Sequence, residues 1–287
     1  MLNKEKIAVL TDSCSDVPKE YVDKYHIYVL PLKVIYKDRE YLDGVNITPQ
    51  EVYESMTTEI PSTSLPDGQS VQDIFEQIKK DGFNKVVVIT LSSGLSGTNN
   101  LLHLIAQDIN KLEIEIIDTK NIALGSGFHA IQAAKYIEQG YSFNEIVQKT
   151  KNNIKNSKVF FVVKTLEYLQ KGGRIGLVAS LFGNALNLKP IISCNDEGIY
   201  YTVAKVRGRK QSISKTKELA IKQVGSHTHY HLAVVHGDAQ EEANEAKAFM
   251  IEKCPNYEEF MEGQISPCLG VHTGPGLLGI GVYIIED

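Results

Sequence analysis

The sequence predicts an α/β protein with two domains, and three observations support this. Strand-like apolar runs alternate with helical ones, which is typical of a largely parallel sheet. The 287 residues exceed what one average domain needs, and the pattern changes near residues 155–165. We assign residues 1–160 to a first domain with a Rossmann-like sheet. Residues 161–287 form a second domain with a smaller, mixed α/β sheet.

The elements of the first domain follow from local signals. An apolar strand at residues 7–10 is followed by a polar turn that caps a helix beginning near Pro18. Strand-like runs on both sides of Lys37-Asp38 indicate a hairpin, and Thr48-Pro-Gln-Glu51 has the form of a capping box. The remaining elements are a helix at 71–80, a strand at 86–89, a helix to about 109, a strand at 113–117 and a helix through 134.

The second domain begins with an apolar strand at residues 159–163. Its other predicted elements are strands at 188–193, 198–206, 231–236 and 280–285 and helices at 211–224 and 241–252. Residues 263–285 contain no charged side chain and approach the length of a membrane-spanning helix. Because Pro267, Pro275 and several glycines would break such a helix, we interpret this segment as buried loop and strand.

Composition and motifs exclude several function classes. The chain is 43% hydrophobic with a net charge of -5 and no basic block, which argues against nucleic-acid binding. Its four cysteines lie far apart without metal-ligand spacing, so we expect free thiols and no metal site. No phosphate-binding P-loop, zinc-protease or hydrolase-elbow motif is present. Since no signal peptide is recognisable, we expect a cytoplasmic protein.

A Ser/Gly turn at residues 90–98 separates an apolar strand from a helix. Its glycines, Gly94 and Gly97, let the backbone approach a ligand closely, and the first turn of the helix offers unpaired N–H groups. The hydroxyl donors of this turn are Ser92, Ser93, Ser96 and Thr98. The pattern predicts an anion site, although Ser96 or Thr98 acting only as a helix cap would produce the same pattern.

Four other segments place polar groups among apolar ones, and each has a plain alternative. Two prolines hold Thr63 in an extended loop that suits a presented hydroxyl or an ordinary surface loop. Arg174 follows two glycines and is either a cation beside an anion or a solvated side chain. Arg207 belongs to a short basic patch that is also consistent with plain surface charge, and His272 is either functional or a core histidine.

The order and spacing of these segments resemble one family over nearly the whole chain. The matching motifs are Thr11-Asp-Ser13, Asp43-Gly44, Ile47-Thr-Pro49, Ser62-Thr-Ser-Leu-Pro66, Ile89-Thr-Leu-Ser-Ser-Gly-Leu-Ser-Gly-Thr98, Asp118-Thr-Lys120, Leu169-Gln-Lys-Gly-Gly-Arg-Ile175, Lys205-Val-Arg207 and His272-Thr-Gly-Pro-Gly276. The sequence is similar to the DegV family of bacterial fatty-acid-binding proteins, the FakB-like subunits of fatty acid kinase. It departs from the family at Leu65-Pro-Asp67, where Gln-Pro-Ser is usual, and at Gly208, where Thr is common.

The resemblance implies a long-chain fatty acid such as palmitate, held in the cleft between the two domains, and no other cofactor. It implies that Thr63 and Ser93 bind the carboxylate and that Arg174 and His272 lie near it. Arg207 is implicated, with His272, in contact with the kinase subunit. The expected function is to present the carboxylate to an ATP-dependent fatty acid kinase, for incorporation of exogenous fatty acid into lipid. The chain itself is then a carrier and not an enzyme.

Elementary energetics agree with such a ligand. Burying an acyl tail contributes about 0.8 kcal/mol per methylene, and hydroxyls with helix N–H groups satisfy a carboxylate without a buried ion pair. Two alternatives stay open: a Ser-dependent lipid hydrolase using Ser93 and His272, and a lipid transport or storage carrier without a kinase. The hydrolase lacks a nucleophile elbow and a nameable acidic partner. Beyond lipid and kinase we expect no nucleic acid and no stable membrane insertion, only transient membrane contact.

Overall fold

The computed structural model describes residues 3–181 and 188–285. The strands in these ranges are β1 (Ile7–Asp12), β2 (Tyr28–Leu30), β3 (Lys33–Ile35), β4 (Glu40–Leu42), β5 (Ser62–Ser64), β6 (Lys85–Thr90), β7 (Glu113–Asp118), β8 (Ser157–Val162), β9 (Leu188–Cys194), β10 (Tyr200–Arg207), β11 (Tyr230–Gly237), β12 (Glu259–Gln264) and β13 (Leu277–Ile284). The helices are α1 (Lys19–Tyr25), α2 (Pro49–Ser55), α3 (Gly68–Lys80), α4 (Thr98–Ala106), α5 (Leu124–Glu138), α6 (Phe143–Asn153), α7 (Glu167–Lys171), α8 (Arg209–Val224), α9 (Gln240–Lys253) and α10 (Pro267–Thr273). Strands and helices alternate along the chain, which confirms the predicted α/β class.

The first sheet has four parallel strands in the order β2-β1-β6-β7. Every residue of β1 is buried, as are the last five of β6, because helices cover both faces of the sheet. Strands buried on both faces read as continuous apolar runs, which is why their positions were predictable. The loops after β1, β6 and β7 begin at Asp12, Thr90 and Asp118 and meet at one edge of the sheet.

The second sheet is mixed, as predicted, with the order β10-β9-β8-β13-β11-β12. It pairs β11 with β12 in parallel and the other neighbours antiparallel. The expectation that this sheet is the smaller one was wrong, since it has six strands and the first has four. The difference arises because β3 and β4 form a separate small sheet with β5, which leaves four strands in the first sheet. In addition β12, which local sequence patterns did not reveal, adds an edge strand to the second sheet. Strand β8 crosses the proposed boundary at residues 160 and 161 and belongs to the second sheet.

Helix α5 lies between the two large sheets. It packs against β1 and β6 on one side and against β8 and β13 on the other. Twelve of its fifteen residues are buried, so it lacks the polar stripe of a surface helix. One hydrophobic cluster therefore runs through both halves of the molecule, from Val9 and Ile89 through Phe128 to Phe161 and Val235.

A third, small antiparallel sheet has the order β4-β3-β5. Strands β3 and β4 form the predicted hairpin, with Lys33 paired to Leu42. Strand β5 lies in the segment predicted to be an extended loop, and Thr63 pairs with Val34 of β3. The small sheet thus gives the Thr63 hydroxyl a fixed position at the edge of the interior.

Helix α10 corrects the expectation of buried loop and strand at residues 263–285. Ser266 caps this helix, accepting a hydrogen bond from the Leu269 N–H, and Pro267 occupies its first position, where a missing N–H costs nothing. Gly274, with φ 67°, ends it. The helix packs on α2, α7, β3 and β5 inside the molecule. No helix in the described residues combines the length and the apolar character needed to cross a bilayer.

Candidate functional site

A cavity of about 200 Å³ lies between the loops of the first sheet, strand β5 and helix α10. Its polar lining residues are Thr63, Ser64, Ser96, Arg174, His272 and Thr273. Leucine, isoleucine, tyrosine and cysteine side chains form the rest of the wall. Among the described residues that line it, Arg174 is the sole permanently charged one. The cavity therefore has one cationic group and several neutral donors, which is the composition that a single carboxylate requires.

Thr63 and His272 form the polar end of the cavity. Thr63 Oγ1 and His272 Nε2 are 2.7 Å apart, which joins strand β5 to helix α10. Burial and the nearby Arg174 lower the pKa of His272 to about 4. The imidazole is thus neutral at neutral pH and has one donor and one acceptor nitrogen. A neutral ring beside a hydroxyl suits hydrogen bonding to an anion without adding a second buried charge.

The turn after α7 holds Arg174 and His272 against each other. The Arg174 guanidinium donates to the carbonyl oxygens of Gly172 at 2.8 Å and Leu95 at 3.2 Å. A Cβ on Gly172 would lie 2.1 Å from His272 Nδ1, so glycine is required there. The Gly-Gly pair before Arg174 therefore permits the close approach of α7 to α10.

The Ser/Gly turn divides its hydroxyls between different partners. Ser96 lines the cavity and pairs with Thr98 Oγ1 at 2.9 Å. Ser93 is not among the cavity-lining residues, because its Oγ accepts a hydrogen bond from Lys120 Nζ at 3.0 Å and its N–H donates to the Asp118 carboxylate. Carboxylate binding by Ser93 stays a prediction, and Ser96 is the serine that sequence reasoning placed only in a supporting role.

The same turn docks onto the second half of the molecule. Ser92 Oγ donates to the carbonyl oxygen of Gly198, in the turn between β9 and β10, at 2.8 Å. A Cβ on Gly94 would lie 2.8 Å from that oxygen, and one on Gly198 would lie 1.9 Å from Ser92 Oγ. Gly97 packs near Leu65 where α4 begins. Ser92 and the glycines thus shape the turn and its docking contact.

Arg207 lies outside this constellation. It is the last residue of β10, its side chain is exposed, and it does not line the cavity. The Ser93 and His272 pair of the hydrolase alternative is also not formed, since His272 contacts Thr63 and Ser93 contacts Lys120. A nucleophile and base within hydrogen-bonding reach, which that chemistry needs, are therefore not provided by these two residues.

A second cavity of about 30 Å³ continues from the first into the core between α5 and the second sheet. The two share wall residues, among them Ile122, Tyr200 and Leu269. The deeper walls are apolar, with Phe161 and Val235 contributed by the second sheet. Ligand sites for small molecules usually exceed about 300 Å³, so a long apolar chain would have to displace side chains between the two cavities.

Buried carboxylates tie the site loops together. The Asp12 carboxylate accepts hydrogen bonds from the N–H groups of Leu91 at 2.7 Å and Cys14 at 3.1 Å. The Asp43 carboxylate accepts from Ser13 Oγ at 2.6 Å and from the Cys268 N–H at 2.8 Å. Burial raises the pKa of both groups, that of Asp12 to about 7. These contacts link the ends of β1 and β6 to α10 and so fix the position of His272.

Comparison with known sequences gives consistent matches. A family model described as uncharacterised protein, DegV family, matches residues 6–284. A DegV domain-containing protein of Clostridium acetobutylicum is 43% identical over 279 residues, covering 97% of this chain and 99% of the relative. The protein named DegV of Bacillus subtilis is 30% identical, covering 96% of this chain and 98% of the relative.

Solved structures match over similar lengths. The crystal structure of DegV from Bacillus subtilis, named a fatty acid binding protein, has a TM-score of 0.90 at 28% identity, covering 99% of this chain and 100% of that one. A stearic acid-binding protein from Eubacterium ventriosum has a TM-score of 0.88 at 29% identity, covering 97% and 98%. The two-sheet architecture is therefore shared with proteins that are named for fatty-acid binding.

Proposed function

This chain belongs to the DegV family, and on that basis we propose that it binds a long-chain fatty acid in the cleft between its two large sheets. The proposal rests mainly on one observation: the cavity is polar at the Thr63 and His272 pair, and it adjoins a second cavity in the core whose walls are apolar. The names of the similar structures support the same ligand class.

We assign the carboxylate to the polar end. Thr63, Ser96 and neutral His272 offer hydrogen bonds, and Arg174 offers a positive charge held by two backbone carbonyls. Hydrogen bonds to a charged group each contribute about 1.5 to 3 kcal/mol. A few such contacts offset the cost of taking one carboxylate out of water.

We assign the acyl tail to the apolar extension. Each buried methylene contributes about 0.8 kcal/mol, so most of the affinity would come from the walls around Phe161 and Val235. The cavity wall shared at Leu269 and Tyr200 would have to move as the tail enters. Binding is thus expected to be accompanied by side-chain displacement in the core.

Extraction and binding measurements test this proposal. We expect protein purified from bacteria to release a stoichiometric long-chain fatty acid, identified by mass spectrometry, and the stripped protein to rebind palmitate. Thr63→Ala should weaken binding about ten- to a hundredfold, while Thr63→Ser, which keeps the hydroxyl, should bind nearly as tightly as wild type. Absence of both extracted lipid and palmitate binding would refute the proposal.

We further propose that the carboxylate is presented, in the cytoplasm, to an ATP-dependent kinase subunit. The four cysteines are free thiols, as a reducing compartment would maintain them. Arg207 is exposed outside the cavity and suits contact with an acidic surface. Presentation would therefore use surface residues that are separate from those that hold the fatty acid.

A reconstituted reaction tests the kinase partnership. Arg207→Ala should retain palmitate affinity but lower acyl-phosphate formation when the kinase subunit and ATP are added, and the difference from wild type should shrink as salt rises and screens the charge. Lys205→Ala, an exposed cation two residues earlier on the same strand, is the matched control. Palmitate binding with no acyl phosphate in wild type would favour the carrier without a kinase. Turnover of an activated ester would favour the hydrolase.

A further inference from the structure

Two cysteines and one carboxylate meet beside the cavity. One donor atom each from Cys14, Asp43 and Cys268, either the Sγ or a carboxylate oxygen, lies within 4.8 Å of the other two. The side chains are 2%, 2% and 1% exposed, respectively. Cys14 lies in the turn after β1, Asp43 follows β4 and Cys268 lies on α10. Both cysteines also line the cavity.

The two thiols of this cluster lie among carboxyl groups. Asp12, Asp16 and Asp43 lie close enough to influence one another, and none forms an ion pair with a Lys, Arg or His of residues 3–181 or 188–285. Backbone amides are their main partners, such as the Ser266 N–H that donates to Asp16 Oδ1 at 3.0 Å. Asp16 Oδ2 is buried without a hydrogen-bond partner among the described residues. A cation bound beside these side chains would therefore meet acceptor oxygens that no ion pair of the described residues occupies.

We propose that Cys14, Asp43 and Cys268 bind one Zn²⁺ ion in the wall of the cavity. Two sulfurs and one carboxylate oxygen suit zinc and disfavour Mg²⁺ and Ca²⁺, which take oxygen ligands. Tetrahedral Zn–S bonds of about 2.3 Å place the two sulfurs about 3.8 Å apart. The donor atoms of the three residues lie within 4.8 Å of one another, which is compatible with that spacing. Because both thiols line the cavity, the fourth coordination position would face it.

The surrounding contacts already orient the carboxylate. Ser13 Oγ donates to Asp43 Oδ2 at 2.6 Å and itself accepts from the Leu32 N–H at 3.0 Å. Asp43 Oδ2 accepts this bond from Ser13, and Oδ1 accepts from the Cys268 N–H. Because each carboxylate oxygen has two lone pairs, each of these oxygens keeps one lone pair for a metal. Outer contacts of this kind typically change metal affinity about 10- to 100-fold when removed.

Metal titration of the full chain tests this site independently of the fatty-acid proposal. The protein is reduced, stripped of lipid and metal, and titrated with Cd²⁺, whose thiolate charge-transfer absorption reports sulfur ligation. We expect the absorption to saturate at one equivalent. A large excess of Zn²⁺ should displace the Cd²⁺ and abolish the absorption, whereas the same excess of Mg²⁺ or Ca²⁺ should not. Competition with a chromogenic chelator measures the Zn²⁺ affinity.

Variants locate the ligands. Cys14→Ser and Cys268→Ser should each abolish the tight site, and Ser13→Ala should weaken Zn²⁺ binding about 10- to 100-fold. Cys254→Ser, a buried thiol in another part of the core, should behave as wild type. The proposal is overturned if wild type shows no saturable Cd²⁺ absorption, or if Cys254→Ser removes it as Cys14→Ser does. The wild-type titration decides the matter even if a ligand variant fails to fold.

Discussion

At the scale of single residues, the direction of each hydroxyl in the Ser/Gly turn determines which serine can bind a carboxylate. Ser96 faces the cavity, whereas Ser93 contacts Lys120 and Asp118. We therefore expect Ser96→Ala to weaken palmitate binding about tenfold or more, from the loss of a hydrogen bond to a charged group. Isothermal titration of the stripped variants measures this.

Ser93→Ala is the matched comparison. The family resemblance predicts that it also weakens binding, while its contacts here predict a smaller effect than that of Ser96→Ala. A large loss of palmitate affinity in Ser93→Ala, with normal affinity in Ser96→Ala, would show that the turn rearranges around the ligand. Ser93 would then bind the carboxylate, as the family resemblance implies.

Buried histidines predict how stability depends on pH. His129 on α5 is fully buried, neither ring nitrogen has a hydrogen-bond partner in the described residues, and burial lowers its pKa to about 4. An unfolded histidine titrates near 6.5, so the folded state takes up its proton only at lower pH. The contribution of His129 to the free energy of unfolding is therefore fully present above about pH 6.5, and it falls by about 3 kcal/mol as the pH drops to about 4. Asp12, with its raised pKa, acts in the opposite direction, since its contribution is lost as pH rises through about 7.

Replacing the His129 imidazole separates its contribution to the pH dependence from that of Asp12. We expect His129→Phe to gain free energy of unfolding relative to wild type progressively as pH falls from about 6.5 to about 4. Thermal melts followed by circular dichroism over that range measure the difference. His103→Gln, at an exposed position on α4, should keep the wild-type pH dependence. A constant difference between His129→Phe and wild type at every pH would contradict this account.

At the scale of elements, the approach of α7 to α10 depends on Gly172. A Cβ there would lie 2.1 Å from His272 Nδ1, so we expect Gly172→Ala to displace His272 and weaken palmitate binding about tenfold or more. Palmitate titration combined with a thermal melt separates a loss of affinity from unfolding.

Gly173→Asn is the control, because Gly173 has φ 69° and open space around its Cβ position, a backbone that asparagine tolerates. If Gly172→Ala binds palmitate as tightly as wild type does, palmitate binding does not depend on the present position of His272.

The same elements show what local sequence can and cannot predict. Buried strands such as β6 and the capping box at Thr48 were predicted, because their signals are local. Helix α10 was missed because Gly270 within it and the glycines after it resemble a loop, although Ser266-Pro267 carried a helix-start signal. Thr63 and His272 are 209 positions apart in the sequence. The periodicity of a helix or strand cannot predict a contact over that separation. The prediction of no metal site likewise rested on spacing along the chain, and the zinc titration tests it.

At the scale of the whole molecule, one core joins the two halves. Phe128 of α5 belongs to a cluster that includes residues of both large sheets. We therefore expect a single cooperative unfolding transition, with coincident curves from circular dichroism and tyrosine fluorescence, the protein having 14 tyrosines and no tryptophan.

Palmitate at about 100 times its dissociation constant should shift that whole transition by about 2.7 kcal/mol. Two separate transitions, only one of which responds to palmitate, would show that the halves unfold independently and that the ligand binds to one of them.

The docking of Ser92 onto Gly198 has a consequence for release. The two turns belong to opposite halves and meet where neither Gly94 nor Gly198 has room for a side chain, so the halves approach each other here more closely than a side chain at either position would permit. If the proposed fatty acid enters and leaves between these turns, its residence time would follow how often they part more than the strength of any one head-group contact. A partner that separates the turns would then control delivery.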